Sequence, residues 1–330
     1  MTGSRPDRLA GQVKRLASAR VGVVGDLVAD VYISGLTDRL SREAPVPVVR
    51  FENQWVVPGG GANVAVNIAA IGADVFVAGL VGQDQAGRDL AETLAGRGVN
   101  VDALAGHAER PTTTKTRLLA GARHTTRQQL ARLDREPGPP TDAMRRDLLD
   151  RVRRIDPNVG AWIISDYGYG CFDDGLKAAM RAIAADKPVL ADSRFDTLGF
   201  PGVTVIKPNE DEAIAATSVA DGSIDQMKRA ARELSDRLDV RAVLITLGNQ
   251  GMLLYERGGG AEHISAVGTD EIVDLTGAGD TVAAILTTAL AAGIGMLDAA
   301  KLSNCAAGVV VMKEGAASVT PDELAEACGE

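Results

Sequence analysis

The sequence predicts an α/β fold built on a mainly parallel central sheet with helices on both faces. Three observations predict it. Short β-branched runs alternate with longer helical patterns, and those runs are apolar throughout, as strands buried on both faces must be. Several also end in Gly, Asp or Asn, the polar strand ends beyond which ligands bind in open parallel sheets.

The runs, in order, are VGVVGD (21–26), VFVAGLVG (75–82), AWIISD (161–166), PVLAD (188–192), VTVIKPNE (203–210) and AVLITLG (242–248). Asp26, Asp166, Asp192, Asn209 and Gly248 fall at their ends. Before the first run, Leu9, Val13 and Leu16 have the spacing of a short amphipathic helix. Two regions break the alternation. Residues 31–57 hold prolines at 45 and 47 and no helical period, and RPTTTKTRLLAG (110–121) and RQQLARLD (127–134) read as two strands joined near Gly121–His124. Together, 31–57 and 110–135 are expected to form a small β-sheet lid inserted in a single domain, residues 1–330. Strand alternation puts Lys115 and Arg117 on one face, and likewise Arg132 and Asp134. EPGPPTD (136–142) ends the lid and starts a helix at Thr141 or Asp142.

Composition narrows the function. Hydrophobic residues make up 45% and charged residues 24% of the 330, enough for a sizeable core. The net charge of -9 gives no bulk attraction to phosphate backbones, so nucleic acid is excluded as an expected partner. Three dispersed cysteines without CxxC argue against structural zinc and for a reducing compartment, so a cytoplasmic location is expected. The first twenty residues scatter five basic side chains and lack the apolar stretch of a secretory signal. The mostly apolar uncharged run Thr281–Leu297 has 17 residues, short of the roughly 20 of a membrane span. It reads as a core helix.

Two glycine-rich stretches carry chemistry. PGGGANVAVNIAAIGA (58–73) allows close backbone approach and then opens a helix with Asn63 and Asn67 on one face. Asn63 could donate to a bound hydroxyl. DLTGAGDTVAA (274–284) sets Gly277, Ala278 and Gly279 at the start of the uncharged helix, where unpaired amides favour an anion. Thr276 reads as the N-cap, so Asp280 in the first turn is not needed as one. Neither GxxxxGK[ST] nor GxGxxG occurs. A loop of amides beside one carboxylate suits phosphoryl transfer to an alcohol.

With KPNEDE (207–212), TLGNQG (246–251) and SNCAAGVVVMKEGAASV (303–319), these two stretches resemble the signatures of the ribokinase-like, phosphofructokinase B family of sugar kinases along nearly the whole chain. The resemblance implies a ribokinase-like fold and an ATP-dependent kinase acting on a sugar or sugar phosphate. It implies Asp280 as the base, with Gly277, Ala278 and Gly279 as the anion hole. Asp30, Gly59, Gly60 and Asn63 match sugar-binding positions. Asn209 and Glu212 match an NxxE element that organises Mg2+ and phosphates, Glu212 largely through water. Thr246, Gly248 and Gly251 match the turn under the nucleotide phosphates, and Asn304 and Ala307 the adenine site. Asp274 matches a position some members use near a monovalent cation.

Within the family, GDLVADVYISGLTDRLSREAPVPVV, TTTKTR, QQLARLD and SDYGYG are most similar to the heptose 7-phosphate kinases of the ADP-heptose pathway, which phosphorylate the anomeric hydroxyl. A substrate carrying its own phosphate gives Lys115, Arg117 and Arg132 a ligand, with Asp166 beside the sugar. Tyr169 stands where those kinases carry lysine, and DSRF (192–195) where they carry a DPKG-like stretch. Their bifunctional relatives add a nucleotidyltransferase domain. Other sugars, of the ribose, fructose or fructose phosphate type, remain alternatives. So does a noncatalytic sugar- or nucleotide-binding regulator on the same fold, although such a module has no need of the base in TGAGD. An oxidoreductase lacks the dinucleotide fingerprint. An exposed lid edge leaves homodimer pairing open, and no membrane partner is expected.

Overall fold

The computed structural model describes residues 5–123, 125–268 and 273–329; His124 of the expected lid loop lies outside them. Helix α1 (Arg5–Leu16) precedes β1 (Arg20–Gly25), β2 (Leu27–Leu40), β3 (Pro47–Gly60) and α2 (Gly61–Ala70). Then come β4 (Asp74–Gly82), α3 (Gln85–Gly96), β5 (Asn100–His107), β6 (Thr114–Gly121), β7 (Gln128–Arg135) and α4 (Asp142–Ile155). The middle of the chain supplies β8 (Ala161–Asp166), α5 (Asp174–Ile183), β9 (Val189–Ser193), β10 (Val205–Ile206), α6 (Glu210–Ala216) and α7 (Ile224–Leu238). Strands β11 (Ala242–Thr246), β12 (Met252–Glu256) and β13 (Gly260–Ile264) lead to α8 (Ala278–Ala291), α9 (Met296–Val310) and α10 (Pro321–Gly329).

Nine strands form one sheet in the order β13-β12-β11-β10-β9-β8-β1-β4-β5. Pairing is parallel from β5 to β11, and β12 and β13 turn back antiparallel at the edge. This is the ribokinase-like α/β fold. Alternate residues feed opposite faces: Val23 enters the core under α2, α8 and α9, and Val24 the core under α4, α5 and α7. Strand β10 covers only Val205 and Ile206 of the run from 203, and Pro208, which has no N–H, limits its extension at the far end. The sequence reading missed β5, whose NVDALAGH alternates small and polar residues at a sheet edge, and the β12–β13 hairpin.

A second sheet, β3-β2-β6-β7, stands apart. Its β2–β3 and β6–β7 pairs are antiparallel and β2–β6 is parallel. It begins at Leu27 and ends its β3 arm at Gly60, a few residues wider than the prolines alone suggest. Strand β7 is exposed along its whole length. The chain leaves this sheet at residue 136 and starts α4 with Thr141 as N-cap, its hydroxyl accepting from the Met144 N–H.

Helix α8 is buried from Asp280 through Ala289, as a helix without a polar face must be. The uncharged run is not one helix. Gly293, at a φ of 72°, ends α8, and α9 starts at Met296. Among the described residues, no helix is long and apolar enough to cross a membrane.

Trp162 on β8 is the largest side chain with no exposed surface, and its indole N–H donates to Asp156 at 2.8 Å. Trp162→Ala should therefore cost about 3–5 kcal/mol, read as a lower urea midpoint. Phe51→Ala, at a residue 63% exposed, should stay within about 0.5 kcal/mol. Equal costs for the two would contradict this packing.

Candidate active site

The strand ends and the N-terminus of α8 enclose a cleft of about 360 Å³ lined by Asp166, Tyr167, Asp192, Arg194, Lys207, Asn209, Glu212, Leu275, Gly277, Gly279 and Asp280. Asp280 is one of three buried charges in it, 9% exposed, with Asp166 and Lys207. Asn63 Nδ2 donates to its Oδ2 and Tyr167 Oη to its Oδ1, each at 2.7 Å. Helix α2 holds Asn63 in place: Asn67 Nδ2 donates to the Asn63 carbonyl at 3.0 Å, and Thr281 of α8 donates to Asn67 Oδ1 at 2.9 Å. The two helices are thus stitched by side-chain amides beneath the carboxylate.

Burial raises the Asp280 pKa to about 6, against the opposing pull of the Asn63 and Tyr167 hydrogen bonds; Asp192 raises it further and Lys207 lowers it. A carboxylate so poised can accept a proton near neutral pH. Across the cleft, Lys207 Nζ pairs with Asp192 Oδ1 at 3.1 Å. Burial also raises the Asp192 pKa, with Lys207 opposing.

The glycine turn before α8 differs in one respect from the expected cap. The N-cap is Gly277, in the left-handed region at φ 80°, and not Thr276. A Cβ at Gly277 would come within 2.8 Å of Asn63 Nδ2, the donor to Asp280, so both conformation and space require glycine. Thr276 instead donates its N–H to Asp274 Oδ1 at 2.8 Å, and Gly315 N–H donates to Asp274 Oδ2 at 3.0 Å. Gly277 and Gly279 line the cleft, whereas the Ala278 amide, expected to be unpaired, donates to the Leu275 carbonyl at 3.3 Å. A Cβ on Gly279 would point at Lys207 Nζ, 3.6 Å away. Backbone amides at a helix N-terminus facing a lysine form a donor set that fits a phosphate.

The other residues singled out by sequence fall into three groups. Asn209 and Glu212 line the same cleft and form the capping box of α6: Asn209 Oδ1 accepts from Glu212 N–H at 2.8 Å and Glu212 Oε2 from Asn209 N–H at 2.9 Å. Burial raises the Glu212 pKa. Asp166 also lines the cleft, with its oxygens taken by Gly168 N–H and Ser193 Oγ at 3.0 and 2.7 Å. Asn209 bridges to Thr246, and Gly248 and Gly251, both at positive φ, shape the next turn. Asn304 and Ala307 lie on α9, outside the lining of this cleft, with Asn304 Nδ2 donating to the Ser265 carbonyl at 2.7 Å.

The third group sits on the second sheet. Arg117 NH1 pairs with Asp30 Oδ1 at 2.5 Å and lies over the Tyr32 ring, which stacks on Trp55. Arg132 pairs with Asp134 through both Nε and NH2, and Lys115 is in register with Asp30 on one side and Asp134 on the other. Gly59 packs against the Asp30 carboxylate, and Gly60 leads directly into α2. These charges share the sheet face that carries Asp30; they do not line the cleft itself.

Tyr167, Arg194 and Lys207 line the cleft without having been assigned there by sequence. Lys207 and Tyr167 obey the strand-end rule, one position past β10 and β8. Asp26, also at a strand end, is instead buried scaffold: its Oδ2 accepts from Tyr167 N–H and Tyr169 N–H at 2.9 and 3.0 Å.

A doubly wound sheet with backbone amides and a lysine beside a buried carboxylate fits a phosphotransferase. The sequence matches the pfkB family carbohydrate kinases over residues 18–132 and 175–323, and the chain belongs to that family. Its relatives include the bifunctional protein HldE of Paramagnetospirillum magneticum, 38% identical over 320 residues, which cover 96% of this chain and 64% of that protein. HldE of Halorhodospira halophila is 43% identical over 318 residues, 94% of this chain and 63% of its own length. The chain thus spans a little under two thirds of the curated relatives it matches. Similar solved structures include Arabidopsis thaliana ribokinase complexed with ribose and ATP, with a TM-score of 0.73, 22% identity, and 94% and 99% of the two chains covered. Escherichia coli phosphofructokinase-2 in complex with potassium has a TM-score of 0.73, 20% identity, and coverage of 94% and 98%. These structural likenesses establish the fold.

The raised Asp280 pKa carries a stability prediction. Below the unfolded value of 3.8 the group is neutral in both states, and between 3.8 and about 6 the unfolded chain ionises first. The fold therefore loses stability over that window and stays at the lower level above it. Asp280→Asn should stabilise the protein by on the order of 2–3 kcal/mol at pH 8 and by almost nothing at pH 4, since the Tyr167 hydroxyl can turn to accept. Denaturant melts at the two pH values check this, and a gain that does not depend on pH would contradict it.

Proposed function

We propose that the protein transfers the γ-phosphoryl group of ATP to the anomeric hydroxyl of a heptose 7-phosphate. The observation that carries the phosphotransferase part is Asp280, buried and hydrogen-bonded on both oxygens at the mouth of an amide-lined cleft. As the sugar oxygen forms its bond to phosphorus and the bond to the ADP leaving oxygen breaks, the hydroxyl proton passes to Asp280. Gly277 and Gly279 amides with Lys207 would hold the transferring phosphoryl group, and Ala278 would act only by shaping the turn. Asn209, Thr246, Gly248 and Gly251 would bound the ATP phosphates, and Asn304 and Ala307 the adenine. Magnesium arriving with ATP would neutralise phosphate charge, with Glu212 holding it mostly through water. Potassium in a similar structure supports a monovalent cation near Asp274.

The sugar would lie between the strand ends and the second sheet, against Asp30, Gly59, Gly60, Asn63 and Asp166. The second sheet would be the lid that excludes water from the phosphoryl group. Lys115, Arg117 and Arg132 on its face support a substrate with its own phosphate, and the similarity to HldE proteins is a second support for that choice. Exposed Leu40, Phe51, Trp55 and Leu133 on the same sheet support pairing of two copies through the lid.

Asp280→Asn should reduce kcat by at least about 10²–10⁴-fold while ATP binding by calorimetry persists; near-normal turnover would sink the assignment. Arg117→Ala and Arg132→Ala should raise KM for the sugar phosphate by more than about tenfold, and for the unphosphorylated sugar far less, as charge-assisted phosphate contacts demand. Equal changes for both substrates would make these residues structural only.

A further inference from the structure

We propose that Tyr167 is a positioning residue for the reaction, whose phenol hydroxyl fixes the orientation and the proton affinity of the Asp280 carboxylate. The proposal rests on the reading of Asp280 as the base. Tyr167 is the first residue beyond β8, and its Oη donates to Asp280 Oδ1 at 2.7 Å while Asn63 holds Oδ2 at the same distance. Each carboxylate oxygen thus has one donor from a different element, and each keeps a lone pair for an incoming hydroxyl.

The phenol is held by a buried frame. Tyr167 N–H and Tyr169 N–H both donate to Asp26 Oδ2, and Gly168 N–H donates to Asp166 Oδ1. Asp26 is 2% exposed, so the turn after β8 is tied to an interior group. Burial, and then the Asp280 charge, hold the Tyr167 pKa well above its ordinary value, so the hydroxyl remains a donor wherever Asp280 titrates. The other charged groups of the cleft are Asp192, Lys207, Arg194, Asp166 and Glu212, whereas the phenol oxygen donates to Asp280. Loss of that donor should therefore act on Asp280 alone.

Tyr167→Phe fills the same space and tests this. The acid limb of kcat/KM, set by Asp280 near pH 6 in the parent protein, should move up by about one pH unit on losing a charge-assisted hydrogen bond. KM for ATP should not change, and kcat above the limb should fall by about three- to tenfold as the carboxylate loses its fixed orientation. A second readout does not use activity. Thermal unfolding of the parent, Tyr167→Phe, Asp280→Asn and the double variant from pH 4 to 8 should show a Tyr167→Phe destabilisation that grows with pH, and this pH dependence should vanish in the Asp280→Asn background. An acid limb that stays in place, or an equal pH-dependent loss in both backgrounds, overturns the proposal. No acid limb in the parent protein would overturn the base assignment itself, and the unfolding cycle tells the two failures apart.

Discussion

The structure depends on one unfavourable placement, a carboxylate held in the first turn of a helix that is buried from Asp280 through Ala289. Isolated, such a charge would simply take a proton, because burial penalises the ionised form. Asn63 and Tyr167 oppose that penalty without cancelling it, and the result is a group poised near pH 6. The neighbouring architecture follows from keeping it there. Gly277 must be glycine to leave room for Asn63, α2 must be stitched to α8 through Asn67 and Thr281, and the turn after β8 must be pinned by Asp26.

A second buried charge pair gives the cleft its polarity. Lys207 and Asp192 face one another 3.1 Å apart, with the ammonium near the space above Gly279. A lysine reached from the end of a parallel strand would take the place that a P-loop lysine has within its own loop. On the proposed reading, the absence of GxxxxGK[ST] from the sequence does not leave the cleft without a cation. The positive charges on the second sheet are arranged differently, each guanidinium already matched to a carboxylate: Arg117 to Asp30 and Arg132 to Asp134.

The fold was largely legible because strands buried on both faces are apolar without alternation, and six such runs stand clear of their helices. The sheet edges escaped that logic: β5 mixes buried and part-exposed positions, and β13 of the β12–β13 hairpin is exposed at four of its five residues. The uncharged run from Thr281 to Leu297 shows the limit of hydropathy, since Gly293 divides it between two helices. The glycine stretches and Asp280 stood out as local motifs. Tyr167, Lys207 and Arg194 did not, because what brings them to Asp280 is strand order, which places β8, β9 and β10 side by side, and that order is not written in any one segment. Thr276 read as a cap from its side chain, whereas a glycine in the left-handed region takes the position.

The central claim is that this cleft moves a phosphoryl group from ATP to a sugar that already bears a phosphate. ADP release measured over a panel of sugars and sugar phosphates tests it most directly. The account predicts sugar-dependent release with the highest kcat/KM for a heptose 7-phosphate, and much lower values for ribose, fructose and unphosphorylated heptose. No sugar-dependent release, or a clear preference for unphosphorylated sugars, would contradict it.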